Sequence, residues 1–120
     1  MKYLLLATSL FLVLNACSTS SKALDPYVQK LQWLDAADPQ TDAQQAIKMG
    51  DLRLLGLAMR SLTIPGVEVD QIYVYEQKCG VQLIDGISDV VRSDEHLRLM
   101  QKARSYALKY NDIIKKACKP

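Results

Sequence analysis

The chain has little of the material from which reactive sites are built. Its 120 residues include one His, one Trp, one Phe and three Cys. A single histidine, His96, without any Cys-x-x-Cys pair, supplies no ligand set of the kind that holds zinc or another transition metal. Asp94, Glu95 and His96 are consecutive, so on a helix they point in different directions. There is no Gly-x-Ser-x-Gly, no cysteine-protease pattern and no phosphate-cradling glycine loop. Excess charge of one sign is also missing. Lys and Arg number 15 against 13 for Asp and Glu, a formal net charge of +2, which excludes a strongly basic nucleic-acid binder. No apolar run reaches the ~18 residues that mark a membrane span. The expectation is a protein with no cofactor, no metal and no nucleic-acid partner, and not an enzyme. The carboxylates Glu68, Glu76, Asp85 and Asp89 are the only candidates for paired acid–base work. Asp85 and Asp89 flank a turn, where aspartate is common anyway.

What is present is enough for one modest core. Apolar residues make up 49% and charged residues 23%, the composition of a folded domain rather than a disordered segment.

The first residues form a separate unit. After Met1 and Lys2, Tyr3 to Leu14 run without charge (YLLLATSLFLVL). As a helix this run covers about 18 Å, short of the ~30 Å bilayer core. It fits the apolar region of a secretory signal peptide. At its end, Leu14-Asn15-Ala16-Cys17 resembles the lipobox of bacterial lipoprotein precursors. The resemblance implies a diacylglycerol on Cys17, cleavage before it and acylation of the new amino group. Each buried methylene contributes about 0.8 kcal/mol and stable anchoring needs more than one chain, so a membrane partner is expected through Cys17. Ser18 comes next, with no Asp. By resemblance to lipoproteins of enteric-type bacteria this favours the outer membrane, facing the periplasm.

Three parts result: a signal peptide over 1–16, a lipidated cysteine with a short tether over 17–24, and one small helical domain over 25–120. Ser18 to Leu24 spans at most about 23 Å, which keeps the domain close to the membrane surface.

Within the domain the expected fold is mainly α, a small helical bundle with a long C-terminal helix. Asp25-Pro26 reads as an N-cap followed by the first helical position, with Leu24, Val28, Leu31 and Leu34 or Asp35 on one stripe and Trp33 off it. Trp33 suits a packing boundary or a contact surface. Thr41 to Gln44 reads as a capping box. From there Ala43, Ala46, Ile47, Gly50, Leu54, Leu57 and Ala58 share a helical face, with Gly50-Asp51 favoured as a break that ends one helix and caps the next. Ile64-Pro65-Gly66 is a turn. Residues 67–78 stay open between helix and strand: Ile72-Tyr73-Val74-Tyr75 has strand chemistry, whereas Lys78-Cys79-Gly80 has the form of a helix end. Val81 to Ile84 is extended, so a short β segment is allowed within 69–84. Ser93 caps a helix from Asp94 to Ala117, about 36 Å long, whose stripe runs Met100, Ala103, Ala107, Tyr110, Ile114, Ala117. His96 is expected to lie exposed in its first turn.

Two groups remain as candidate sites. Tyr106 and Tyr110 share a face of the last helix, with Asn111 beside them. They either seal the edge of the core or form a patch for an envelope protein or glycan. With Cys17 taken by lipid, Cys79 and Cys118 are left as an even pair in an oxidising compartment, and a disulfide between them is expected. The function expected is an accessory or protein-interaction role in the cell envelope. The alternative is a ligand-binding module for peptidoglycan or another envelope component.

Overall fold

The computed structural model describes residues 25–119. The expected signal peptide (1–16) and the expected lipidated cysteine and tether (17–24) lie outside the described residues. Four α-helices and a three-stranded sheet run in the order α1 (Pro26–Leu31), a 3-10 segment (Gln32–Ala36), α2 (Pro39–Lys48), β1 (Leu54–Ala58), β2 (Leu62–Thr63), a 3-10 turn (Val69–Gln71), α3 (Ile72–Cys79), β3 (Val81–Leu83) and α4 (Asp94–Ala117). The domain is therefore mainly helical, but it is built around a small mixed sheet rather than as a bundle of helices alone.

The first two helices start in the same way. Asp25 caps α1 by accepting from the Tyr27 amide at 2.8 Å, with Pro26 at the first helical position. Asp38 caps α2 by accepting from the Thr41 amide at 3.1 Å and also from the Thr41 hydroxyl, with Pro39 at the first position. Thr41 is thus not the cap expected from the sequence. The Asp-Pro pair three residues earlier fills that place, because a carboxylate accepts as well as a hydroxyl and proline loses no bond there. α1 tightens after Leu31 into the 3-10 segment, which keeps Val28, Leu31 and Leu34 at three-residue spacing, all buried.

α2 ends at the expected glycine. The Gly50 amide donates to Ile47 O at 3.0 Å and the Asp51 amide to Ala46 O at 2.9 Å, the paired bonds of a Schellman ending, with Gly50 at φ +76. The next element is a strand, however, not a second helix. Leu54, Leu55 and Leu57 are all buried, and a continuous apolar run is what a central strand covered on both faces requires. The helical face drawn through Leu54, Leu57 and Ala58 is corrected accordingly.

β1 lies in the middle of the sheet, in the order β2-β1-β3. It pairs antiparallel with β2 at Leu57↔Thr63 and Ala58↔Leu62. With β3 it pairs parallel at Leu54↔Val81, Leu55↔Gln82 and Gly56↔Leu83. Gly56 has no room for a methyl group: a Cβ there would sit 2.7 Å from Val81 Cγ1 and 2.9 Å from Leu62 Cδ1. The two edge strands fold their side chains over that glycine.

The crossover from the β1–β2 hairpin to β3 is α3. Residues 72–78 are helical, which resolves the reading the sequence left open. Ile72, Tyr75 and Cys79 pack against the core while Tyr73 and Val74 are exposed. A spacing of three and four serves one helical face, whereas a strand would have alternated. Gly80, at φ +80, ends the helix and turns the chain into β3.

α4 lies across the sheet and packs on α1 and α2 as well. Ser93 caps it, accepting from the His96 amide at 3.0 Å. Its buried positions are His96, Leu99, Ala103, Tyr106, Ala107, Tyr110, Asn111 and Ile114. Met100 is only half-buried and Ala117 is exposed, so the true stripe is rotated slightly from the run of Met100 to Ala117 read in the sequence. Cys79 and Cys118 are joined by a disulfide with Cα atoms 6.0 Å apart, tying the end of α3 to the end of α4. Among the described residues no helix is long and apolar enough to cross a membrane.

Candidate functional site

The three candidate residues on α4 do not form one exposed patch. Asn111 is fully buried. Its Oδ1 accepts from the Leu55 amide at 2.7 Å, and its Nδ2 donates to Leu55 O and Pro65 O, both at 2.9 Å. The binding role considered for Asn111 is corrected: every bond its carboxamide makes is spent on backbone. Tyr106 and Tyr110 are more than nine-tenths buried, their rings stacked with centroids 6.0 Å apart.

Around these two rings a groove does exist. Trp33 meets Tyr106 edge-on at 5.1 Å and remains 45% exposed. Together with Asp42, Gln82, Asp85, Leu55 and Tyr110 it lines a concavity of ≈ 390 Å³. Tyr106 donates its hydroxyl hydrogen to Asp42 Oδ2 at 2.6 Å. Burial, followed by this bond to a carboxylate, pushes the Tyr106 hydroxyl up from its usual value. Burial does the same for Tyr110. The hydroxyls are therefore neutral donors beside an exposed indole and two carboxylates. Sequence reasoning found Tyr106 and Tyr110 by their four-residue spacing and noted Trp33. It missed that all three converge, because the contact joins α4 to the 3-10 segment.

A second groove, of ≈ 280 Å³, is mostly apolar. Leu57, Met59, Ile87, Val91, Leu97 and Met100 form its walls, with Ser88, Asp89, Gln101 and Arg104 around them. It lies between the end of β1, the loop before α4 and the first half of α4. No motif in the sequence marks it.

That loop is held by a buried histidine. His96 is fully buried, contrary to the exposed position expected of it. Its Nδ1 accepts from the Arg92 amide at 3.2 Å and its Nε2 lies 2.9 Å from Gly86 O. A carbonyl only accepts, so the ring proton sits on Nε2. Gly86, at φ +101, is pressed against α1: a Cβ would come within 2.9 Å of Leu31 Cγ and 3.1 Å of Tyr27 O. Tyr27 packs on His96 at 5.5 Å, and Arg92 lies over the Tyr27 ring at 4.8 Å. Arg92 Nε also donates to Asp25 at 2.8 Å, which holds the Asp25 carboxyl below the usual carboxylate range. His96 is thus a structural pivot where the chain enters the domain.

The four candidate carboxylates are spread over different grooves and a turn. Asp85 lines the aromatic groove and faces Lys30, 3.5 Å away, Asp89 lines the apolar one, and Glu76 lies by Ala58 to Leu62. Glu68 is exposed just ahead of the turn into α3. Among the described residues no group of three or more His, Cys, Asp or Glu side chains is placed to hold a metal ion. The strongest charged cluster is structural: Arg98 and Lys102 on α4 bind Asp35, with Arg98 also on Glu95. These contacts, Arg98's first, hold the Asp35 carboxyl far below its usual range. Comparison of the chain with protein-family models, with curated proteins and with solved structures returns no match.

Proposed function

We propose that the chain is a bacterial lipoprotein, anchored through acyl chains on Cys17 at the periplasmic face of the outer membrane, with a non-enzymatic accessory role in the envelope. The observation that carries this is the uncharged run Tyr3 to Leu14 ending in Leu14-Asn15-Ala16-Cys17. The described domain begins at Asp25, close behind that cysteine. Its surface offers grooves rather than a cleft of reactive groups, which suits binding another envelope component.

A second reading, a module for peptidoglycan or another envelope glycan, is favoured by the aromatic groove. An exposed indole offers an apolar face to a sugar ring, and Asp42, Gln82 and Asp85 offer hydrogen-bond partners beside it. Affinity capture from envelope extract and co-sedimentation with purified sacculi separate the readings. The accessory role predicts a defined protein retained in stoichiometric amount. Co-sedimentation with protein-free sacculi, lost in Trp33→Ala, supports the glycan module instead. Binding in neither assay contradicts both.

A further inference from the structure

The apolar groove and the pivot around His96 lie next to one another. Val91 lines the groove, and Arg92, its neighbour in the chain, holds Asp25, where the domain begins. The point where the tether would join the domain is therefore bound by the residue next to one that lines the groove. Around it the surface is unusually apolar: Val90 is 68% exposed, Val91 49%, Met59 44% and Leu97 39%. Arg104 stands in the groove wall and Arg60 comes directly after Met59. Among the described residues neither arginine takes part in an ion pair. Asp89 is the one acid that lines the groove.

We infer that this face, formed by Met59, Val90, Val91 and Leu97 with Arg60 and Arg104 beside them, docks on the phospholipid surface to which the chain is anchored. The inference rests on the lipoprotein reading, because the tether supplies the geometry. Ser18 to Leu24 covers at most about 23 Å, whereas α4 alone is about 36 Å long. Asp25 lies at the amino-terminal end of α4, so that end is held near the bilayer and the other is not bound to be. Tethering makes docking intramolecular, so a weak contact suffices. Exposed valine, leucine and methionine side chains enter the interfacial zone favourably, because apolar area leaves water. Arginine stems lie along such a surface with their charges among the headgroups.

Indole quenching in membranes tests this. The lipidated full chain, with Trp33→Phe to remove the native indole, carries either Val91→Trp or Val69→Trp and is reconstituted into vesicles of phosphatidylethanolamine and phosphatidylglycerol with brominated acyl chains. Val69 is the control: it is exposed, and the nearby Gly66 carbonyl accepts from Lys115 at the far end of α4. The docked arrangement predicts that the Val91→Trp indole shifts to shorter wavelength and loses emission, while the Val69→Trp indole does neither. Val90→Trp repeats the measurement at a more exposed position, guarding against a local packing defect. The acyl content of the same sample is read by mass spectrometry. Acylated protein in which the indoles at 90 and 91 stay unquenched, or are quenched no more than the one at 69, overturns the docking and leaves the anchor standing. Protein without acyl chains on Cys17 overturns both.

Discussion

The side-chain amide of Asn111 stands in for a missing strand residue opposite Leu55. The Leu54 amide donates to Gly80 O and Gly56 O accepts from Ile84, so those residues face β3. Leu55, between them, turns its amide and carbonyl the other way. There β2 has not yet begun to pair, its contacts with β1 being confined to Leu57↔Thr63 and Ala58↔Leu62. Asn111 gives Leu55 both bonds and adds a third to Pro65. Proline itself has no amide to offer.

Asn111→Leu keeps the branching and the heavy-atom count of the side chain and leaves one buried donor and two buried acceptors unpaired. Unpaired buried polar groups cost about 1–3 kcal/mol each, so the loss of stability in urea or thermal unfolding should be at least about 3 kcal/mol. Asn111→Asp should do no better, since its carboxylate would face the Leu55 and Pro65 carbonyls without a proton to donate. A change in either variant within about 0.5 kcal/mol, the usual range for surface substitutions, contradicts this role.

Ala107 is fully buried where α4 crosses the core. Ala107→Asp places a carboxylate there without a partner and should cost more than about 3 kcal/mol. Lys102→Asp, by contrast, should cost little. It is not silent, because Lys102 Nζ lies 2.9 Å from Asp35 and the reversal sets two carboxylates together. Equal melting temperatures for the two variants would contradict the placement of α4.

Reducing the Cys79–Cys118 bridge should lower stability. The residues are 39 apart in sequence, and loop entropy alone gives about 4 kcal/mol for such a ring. Denatured, unreduced protein should resist alkylation at both positions. Full alkylation of both thiols would contradict the bridge.

Acid should destabilise the domain. The Asp25, Asp35, Asp38, Asp51 and Glu95 carboxyls are all held below their usual range by hydrogen bonds. The dominant partner is an arginine for each except Asp38, where it is Thr41. Their contribution is complete above the unfolded values near 4 and is lost as pH falls below them. Tyr106 and Tyr110 are shifted upwards. Their contribution is complete below about 10 and fades as pH rises beyond it. A urea midpoint that stays flat as pH is lowered from about 6 to below the unfolded values near 4 would contradict the acid limb.

The local signals in the sequence were legible where one residue decides the backbone. Gly50 ends α2, Gly80 ends α3, and Ser93 starts α4, because only glycine takes a positive φ at little cost and a first turn needs a side-chain oxygen to cap it. The sheet was not legible. Leu54 to Ala58 suits a buried helix face as well as a central strand, and only its pairing with Val81 to Leu83 decides. Ile72 to Tyr75 stayed open between helix and strand, since its β-branched residues serve a helix once Ile72, Tyr75 and Cys79 share the packed face. Asn111 and His96 looked like surface groups because their partners are backbone atoms far along the chain or in a loop. No side-chain pattern announces those.

Both the proposed location and the proposed docking depend on the anchor at Cys17, and mass spectrometry of the mature amino terminus decides whether it exists. The lipoprotein reading predicts a chain beginning at Cys17, carrying a diacylglycerol on the sulfur and an acyl group on the amine. It should remain with membranes through a high-salt wash, and Cys17→Ala should yield an unprocessed or soluble form. A free Cys17 thiol, or wild-type protein that leaves the membrane in salt without labelled fatty acid, would contradict it.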